Sequence, residues 1–173
     1  SQPGAFEPRS AGVAAIAVCA GSTGCYGGLG IVSRVCDHVV ITEQGRLSVS
    51  GPEVIESQEG VEEFDASDRA LVWRTMGGKH RYLLGEADSF AGDAMDALRD
   101  AVAALIGKPR PLTLASVRGE HAALARRLER FGGALDATDI WAQLGVPKAI
   151  DVPALDDEAF LQMANPLKER ADA

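Results

Sequence analysis

The stretch that decides the fold is GSTGCYGGLG, residues 21–30, in which five of ten residues are glycine. An apolar run, GVAAIAVCA (residues 12–20), precedes it, and IVSRVCDHVVITE (residues 31–43) follows. The preceding run is short, apolar and bounded by glycines, so residues 13–19 read as a buried strand. Leu29, Val32 and Cys36 stand at helical spacing and predict a short helix over residues 27–36. The glycines therefore sit where a strand hands over to a helix. HVVITE (residues 38–43) is β-branched and reads as a second buried strand, and LSVSG (residues 47–51) alternates like a third. Strand, helix, strand, strand in so short a span predicts α/β layering.

Farther on, Pro52 is suited to the first position of a short helix over residues 52–56, and the acidic SQEGVEEF (residues 57–64) reads as a loop. DASDRALVWRTMGG (residues 65–78) predicts a helix capped by Asp65, striped with Leu71, Val72 and Met76, and stopped by Gly77–Gly78. DAMDALRDAVAALIG (residues 93–107) places Met95, Leu98, Val102, Leu105 and Ile106 on one helical face. KPRPL (residues 108–112) reads as a hinge, so the chain divides into a core, 1–107, and a helical extension, 108–173. In the extension, Leu114, Val117, His121, Leu124, Leu128 and Phe131 recur at three- and four-residue steps. Short helices follow over residues 139–145 and 156–164, the latter capped by Asp156. Such a tail buries little alone and is expected to pack on the core or on a partner subunit.

Composition narrows the classes. The chain has 173 residues, 46% of them hydrophobic, and a net charge of −8. That charge opposes a nucleic-acid surface, which needs clustered cations. No apolar run approaches the ~20 residues of a membrane span. The N-terminal SQPGAFEPRS lacks the basic-then-apolar order of a signal peptide. Cys19, Cys25 and Cys36 are odd in number and irregularly spaced, which predicts buried thiols in a reduced cytosolic protein rather than a disulfide framework or a zinc site.

The glycine stretch fails two phosphate-loop patterns. It has no lysine for a P-loop, and Gly28-x-Gly30 is followed by Ser33 where a dinucleotide fingerprint needs glycine. Two physical roles remain. Glycines permit positive φ and close packing of helix on strand. They also bare backbone N–H groups at a helix start, where unpaired donors and a partial positive charge can hold an oxyanion.

GSTGCYGGLGIVSRVCDHVVITEQGRLSVSGPEVIE (residues 21–56), with GVEEFDASDRALVWRTMGGKHRYLLGEAD (residues 60–88), resembles the β-subunit family of biotin-independent malonate decarboxylase and, more broadly, the carboxyltransferase subunits of acyl-CoA carboxylases. The resemblance is strong over residues 11–106 and loose over residues 114–160. It implies a crotonase-like (ClpP/crotonase) spiral of strand–strand–helix units with a C-terminal helical appendage. It also implies a cytoplasmic complex with a related γ subunit, an acyl-carrier protein and, as a further candidate, the α (transferase) subunit. The substrate implied is a malonyl thioester, decarboxylated to the acetyl thioester and CO₂. No cofactor is expected on this chain; the CoA-like prosthetic group (phosphoribosyl-dephospho-CoA) belongs to the carrier.

On that resemblance, backbone N–H groups of Gly27 and Gly28 are the expected oxyanion donors, with Tyr26 and Cys25 beside them. Ser22, Thr23, Gly24, Pro52 and Glu53 are the expected substrate-binding residues. Tyr26, Cys25, Glu53, His38 and His80 are candidate proton donors among which the sequence does not choose. The rivals are a biotin- or CoA-using carboxyltransferase and a non-catalytic partner-binding subunit. The second arises because family members carry a further N-terminal portion with a loop like GGVRLQE, so this chain reads as the C-terminal portion of such a subunit or as a shortened homologue.

Overall fold

The structure is a computed structural model and describes residues 13–168. Strand β1 (Ile16–Cys19) runs through the glycine stretch into helix α1 (Gly28–Val35), which returns the chain to β2 (His38–Thr42). Helices α2 (Pro52–Glu59), α3 (Arg69–Met76) and α4 (Gly78–Leu83) lead to β3 (Ser89–Ala91). Helices α5 (Met95–Ala103), α6 (Leu114–Phe131) and α7 (Ala137–Gln143), a 3-10 helix (Ala149–Ala154) and α8 (Asp157–Leu167) complete the order. The strands form a parallel sheet, β1–β2–β3, with Val18 opposite Val40 and Ile41 opposite Phe90. Parallel neighbours need crossover connections; α1 supplies the first, and α2 to α4 lie within the second.

All five residues of β2 are buried, which is what its β-branched run and central place require. The edge strand β1 is shorter than the expected 13–19 and only half-buried, with Val18 exposed. Two other expectations need correcting. Residues 47–51 form no strand; Leu47 makes a single parallel bridge to Cys25. The cap of α3 is Asp68, whose carboxylate accepts from the amides of Ala70 and Leu71, while Asp65 closes a turn on Ser67. The stop at Gly77–Gly78 holds, since α3 ends at Met76 with Gly77 extended at φ −74° and ψ 163°, and a separate helix, α4, starts at Gly78. A Cβ at Gly78 would strike the Thr42 carbonyl oxygen, so glycine there lets α4 lie against the end of β2. Strand β3, three residues long, escaped the sequence reading.

The main buried cluster continues across residue 108. Cys19, Val39, Ile41 and Leu83 pack with Trp141, Val152, Phe160 and Ala164 of the C-terminal helices. Tyr82, Phe90 and Phe160 stack within it at centroid distances of 4.8 to 6.0 Å, each pair adding about 0.5–1.5 kcal/mol beyond area burial. Lys79 is fully buried; its ammonium pairs with Glu43 at 2.9 Å and donates to the carbonyls of Val152 and Leu155. The expected hinge is pinned: the Arg110 amide donates to Asp37 at 2.6 Å, its guanidinium pairs with Asp88 at 2.6 Å, and His38 Nε2–H donates to the Lys108 carbonyl. Among the described residues, no helix is long and apolar enough to cross a membrane.

The stripe on α6 points outward. Leu114, Val117, Leu124 and Leu128 are exposed, whereas Ala123, Arg127 and Phe131 face inward. On α5 no residue is buried. Leu29, Ile31 and Val32 of α1 are likewise exposed. Arg34 of α1 pairs with Glu120 of α6 at 2.7 Å, so these two helices are neighbours.

His80 shows how burial sets a protonation state. The Trp141 indole N–H donates to its Nδ1 at 3.1 Å, which requires a lone pair there and places the proton on Nε2. Burial, reinforced by Arg81 and opposed by Glu86 and Asp136, lowers its pKa from 6.5 to about 3. The unfolded chain therefore takes up a proton that the folded chain refuses. This contribution is complete above the unfolded pKa and is lost as pH falls through that window, at up to about 1.4 kcal/mol per pH unit. Urea unfolding between about pH 7.5 and 5 is expected to show that decline in the native sequence and a flatter profile in His80→Gln, which keeps an acceptor for Trp141. An equal slope in both proteins would remove His80 as its source.

Candidate functional site

The turn from β1 to α1 is held by main-chain bonds to the segment after β2. Cys25 N–H donates to the Arg46 carbonyl (2.8 Å), Ser48 N–H to the Cys25 carbonyl (3.2 Å), and Gly27 N–H to the Val49 carbonyl (2.8 Å). That segment is itself fixed to the α3–α4 junction, where Leu47 N–H donates to the Met76 carbonyl at 2.9 Å. The glycine turn thus rests on two further layers of backbone.

The glycines divide by role. Gly27 adopts φ 57° and ψ −128°, a conformation open in practice to glycine alone. A Cβ at Gly24 would fall within the Tyr26 ring, and one at Gly30 would strike the Ser48 carbonyl oxygen. Gly28 has neither constraint: its φ is not positive, and a Cβ there would meet nothing within 4 Å. As the first residue of α1 it carries one of the first-turn amides that a helix cannot satisfy. No acceptor among the described residues takes that amide. The expectation of two adjacent oxyanion donors is therefore corrected at Gly27. Its amide is spent on Val49, and its role is to aim the chain so that Gly28 opens the helix.

Four of the sequence-derived candidates, Ser22, Tyr26, Pro52 and Glu53, line one cavity of about 330 Å³ together with Arg46 and Arg69. The Tyr26 ring and the Glu53 carboxylate both lie beside Gly51, the residue before α2. Burial raises the phenol pKa of Tyr26 above its usual value; Arg46 opposes that shift and Glu53 adds to it. The phenol is therefore protonated at neutral pH. A second cavity, about 340 Å³, adjoins it through the shared Arg46 and Arg69 and is walled by Glu43, Trp73, Arg74 and Pro153.

The remaining candidates lie elsewhere. Cys25 packs against the main buried cluster. Its side chain bonds the Cys19 thiol, whose pKa is pushed up to about 12, chiefly by burial. Thr23 is exposed and lines neither cavity, and Gly24 serves as the floor under the Tyr26 ring. His38 and His80 are buried in contacts with Lys108 and Trp141. Among the described residues, no three His, Cys, Asp or Glu side chains gather as they would around a metal ion.

Sequence reasoning missed Arg46 and Arg69. Their one signal was position: they flank the stretch 52–68, which carries seven acidic residues and no lysine or arginine.

No protein-family model matches the chain. The malonyl-S-ACP:biotin-protein carboxyltransferase MADC of Malonomonas rubra is 38% identical over 153 residues, which is 84% of this chain and 48% of that protein. The crystal structure of a Pseudomonas malonate decarboxylase hetero-tetramer in complex with malonate matches with a TM-score of 0.64 and 35% identity, over 74% of this chain and 46% of that one. The Pseudomonas malonate decarboxylase MdcD–MdcE hetero-dimer matches with a TM-score of 0.51 and 34% identity, over 66% and 45%. This chain thus spans about half the length of the curated relative it matches.

The division of glycines has a measurable consequence. Gly30→Ala forces a methyl group onto a carbonyl and is expected to cost about 1–3 kcal/mol, or about 3–10 °C in Tm. Gly28→Ala meets open space at a helix position that favours alanine, so Tm should hold or rise slightly. Thermal unfolding of the two variants showing the reverse order would contradict the assignment.

Proposed function

We propose the following for this chain, which belongs to the carboxyltransferase/crotonase-like superfamily together with malonate decarboxylase subunits and MADC: it is a β-type subunit that cleaves the carboxyl group from a malonyl thioester. The thioester arrives on an acyl-carrier protein, whose CoA-like arm belongs to the carrier. The C–C bond to the carboxylate breaks, its electron pair moves toward the thioester carbonyl as an enolate, and CO₂ departs. Protonation of the α-carbon then leaves the acetyl thioester.

The observation that carries this reading is Gly28, a glycine with no structural need for the absence of a side chain and with a bare helix-start amide. Such an amide stabilises charge as it forms on the carbonyl oxygen, an effect worth about 3–4 kcal/mol per donor. Tyr26, held protonated beside Glu53, is the favoured proton donor of the five candidates. The spiral of strand–strand–helix units belongs to the same proposal, and the parallel pairing of β1 and β2 across α1 supports it as one unit.

A heteromeric assembly is also part of it. The exposed apolar residues of α1, α5 and α6 form the sort of surface that marks a protein interface. The MdcD–MdcE hetero-dimer makes a related subunit the proposed partner.

A second reading has its own support, since the 38%-identical relative is a biotin-protein carboxyltransferase. Both reactions pass through the same enolate and differ in whether a biotin carrier captures the carboxyl group. The test uses the assembled complex and a carboxyl-labelled malonyl-carrier thioester, with and without a biotin-carrier protein. Label released as CO₂ without biotin supports decarboxylation; label transferred only when biotin is present supports transfer. Tyr26→Phe is expected to lower either rate by about 10²–10⁴-fold. Neither release nor transfer by a folded complex would reject both readings.

A further inference from the structure

The chain is acidic overall, yet the cleft at the glycine turn is not. Arg46 and Arg69 line both adjoining cavities, and neither forms an ion pair among the described residues. The other charges around the second cavity are matched: Arg74 pairs with Asp136 at 3.0 Å and Glu43 with Lys79 at 2.9 Å. Glu53 shares the first cavity without reaching either guanidinium, so the cleft keeps a net positive charge.

Each arginine is placed at some cost. Arg46 Nη1 donates to the Ser22 carbonyl at 2.6 Å, tying the guanidinium to the glycine stretch, while its Nε is buried with no acceptor among the described residues. Arg69 is the exposed first residue of α3, where the helix dipole disfavours a cation, and the neighbouring Asp68 carboxylate is committed to the Ala70 and Leu71 amides. Two arginines that line a shared cavity and pair with no carboxylate suit an oxyanion that offers two oxygens.

We infer that Arg46 and Arg69 form an anion-binding subsite for the thioester ligand, one that takes a carboxylate or phosphate oxygen group beside Tyr26. This rests on the proposed malonyl-thioester reading. Two parts of such a ligand share that chemistry: the malonyl carboxylate and the phosphate of the carrier's arm.

The test is a binding titration on the full chain with two probes, free malonate and inorganic phosphate, at matched ionic strength. Trp73 lines the second cavity and reports through its fluorescence, with Trp73→Phe confirming the source of the signal. A saturable change is expected with at least one probe. Malonate alone assigns the subsite to the carboxylate, phosphate alone assigns it to the arm, and saturation by both supports an unselective oxyanion site. Arg69→Gln, an exposed position, should weaken binding by about tenfold or more, and Arg46→Gln combined with Arg69→Gln should abolish it. No saturable change with either probe, or an Arg69→Gln affinity equal to that of the native chain, would overturn the subsite. Because the titration involves no turnover, a chain that binds the probes but neither releases nor transfers carboxyl loses the proposed function and keeps the subsite; the opposite result does the reverse.

Discussion

One buried ammonium holds together parts of the chain that are far apart in sequence. Lys79 has no exposed surface, and taking its charge out of water costs several kcal/mol unless it is fully partnered. Glu43 supplies the countercharge, the carbonyls of Val152, Pro153 and Leu155 accept its hydrogen bonds, and the rings of Trp73 and Phe160 each lie 5.6 Å from the nitrogen. The end of β2, helix α3, the 3-10 helix and α8 therefore converge on a single atom. Three of those partners' segments, at Glu43, Trp73 and Pro153, wall the cavity next to the glycine turn. The C-terminal helices are thus part of the frame of the site.

That frame gives the glycine turn its meaning. Backbone bonds from residues 46–49 hold the turn, and the Arg46–Leu47 segment is in turn held against the α3–α4 junction. With Gly27 fixed at positive φ by its bond to Val49, the chain enters α1 at one set angle. Packing explains glycine at 24 and 30, where an aromatic ring and a carbonyl occupy the space a side chain would take. It does not explain glycine at 28, and the proposed oxyanion site does. The packing role read from the sequence is present at residues 24 and 30, and the bare amide at residue 28 is the feature on which the proposed oxyanion role rests.

The parts of the fold legible in the sequence were those whose signal is local. The β-branched run of β2 and the spacing within α1 and α6 needed no tertiary knowledge. What failed depended on distant contacts. The glycine pair marked the stop of α3 but not the start of α4, where Gly78 is small so that the helix can approach Thr42. Strand β3 is only three residues long, too short to show a period, and its place depends on pairing with β2. The α6 stripe was correctly periodic, but periodicity does not say whether the apolar face meets this chain or another. Within the site, Tyr26 and Glu53 were legible through the resemblance, whereas Arg46 and Arg69 were ordinary polar positions until the fold set them on one cleft.

The central claim is that the amide of Gly28 receives the thioester carbonyl oxygen as negative charge forms on it. The most direct measurement is a structure of the assembled complex with a malonyl thioester analogue that cannot lose its carboxyl group. The account predicts the carbonyl oxygen about 2.7–3.1 Å from the Gly28 nitrogen, with the α-carbon facing Tyr26. A carbonyl held by other donors, with the Gly28 amide turned to water or to a partner's backbone, would contradict it.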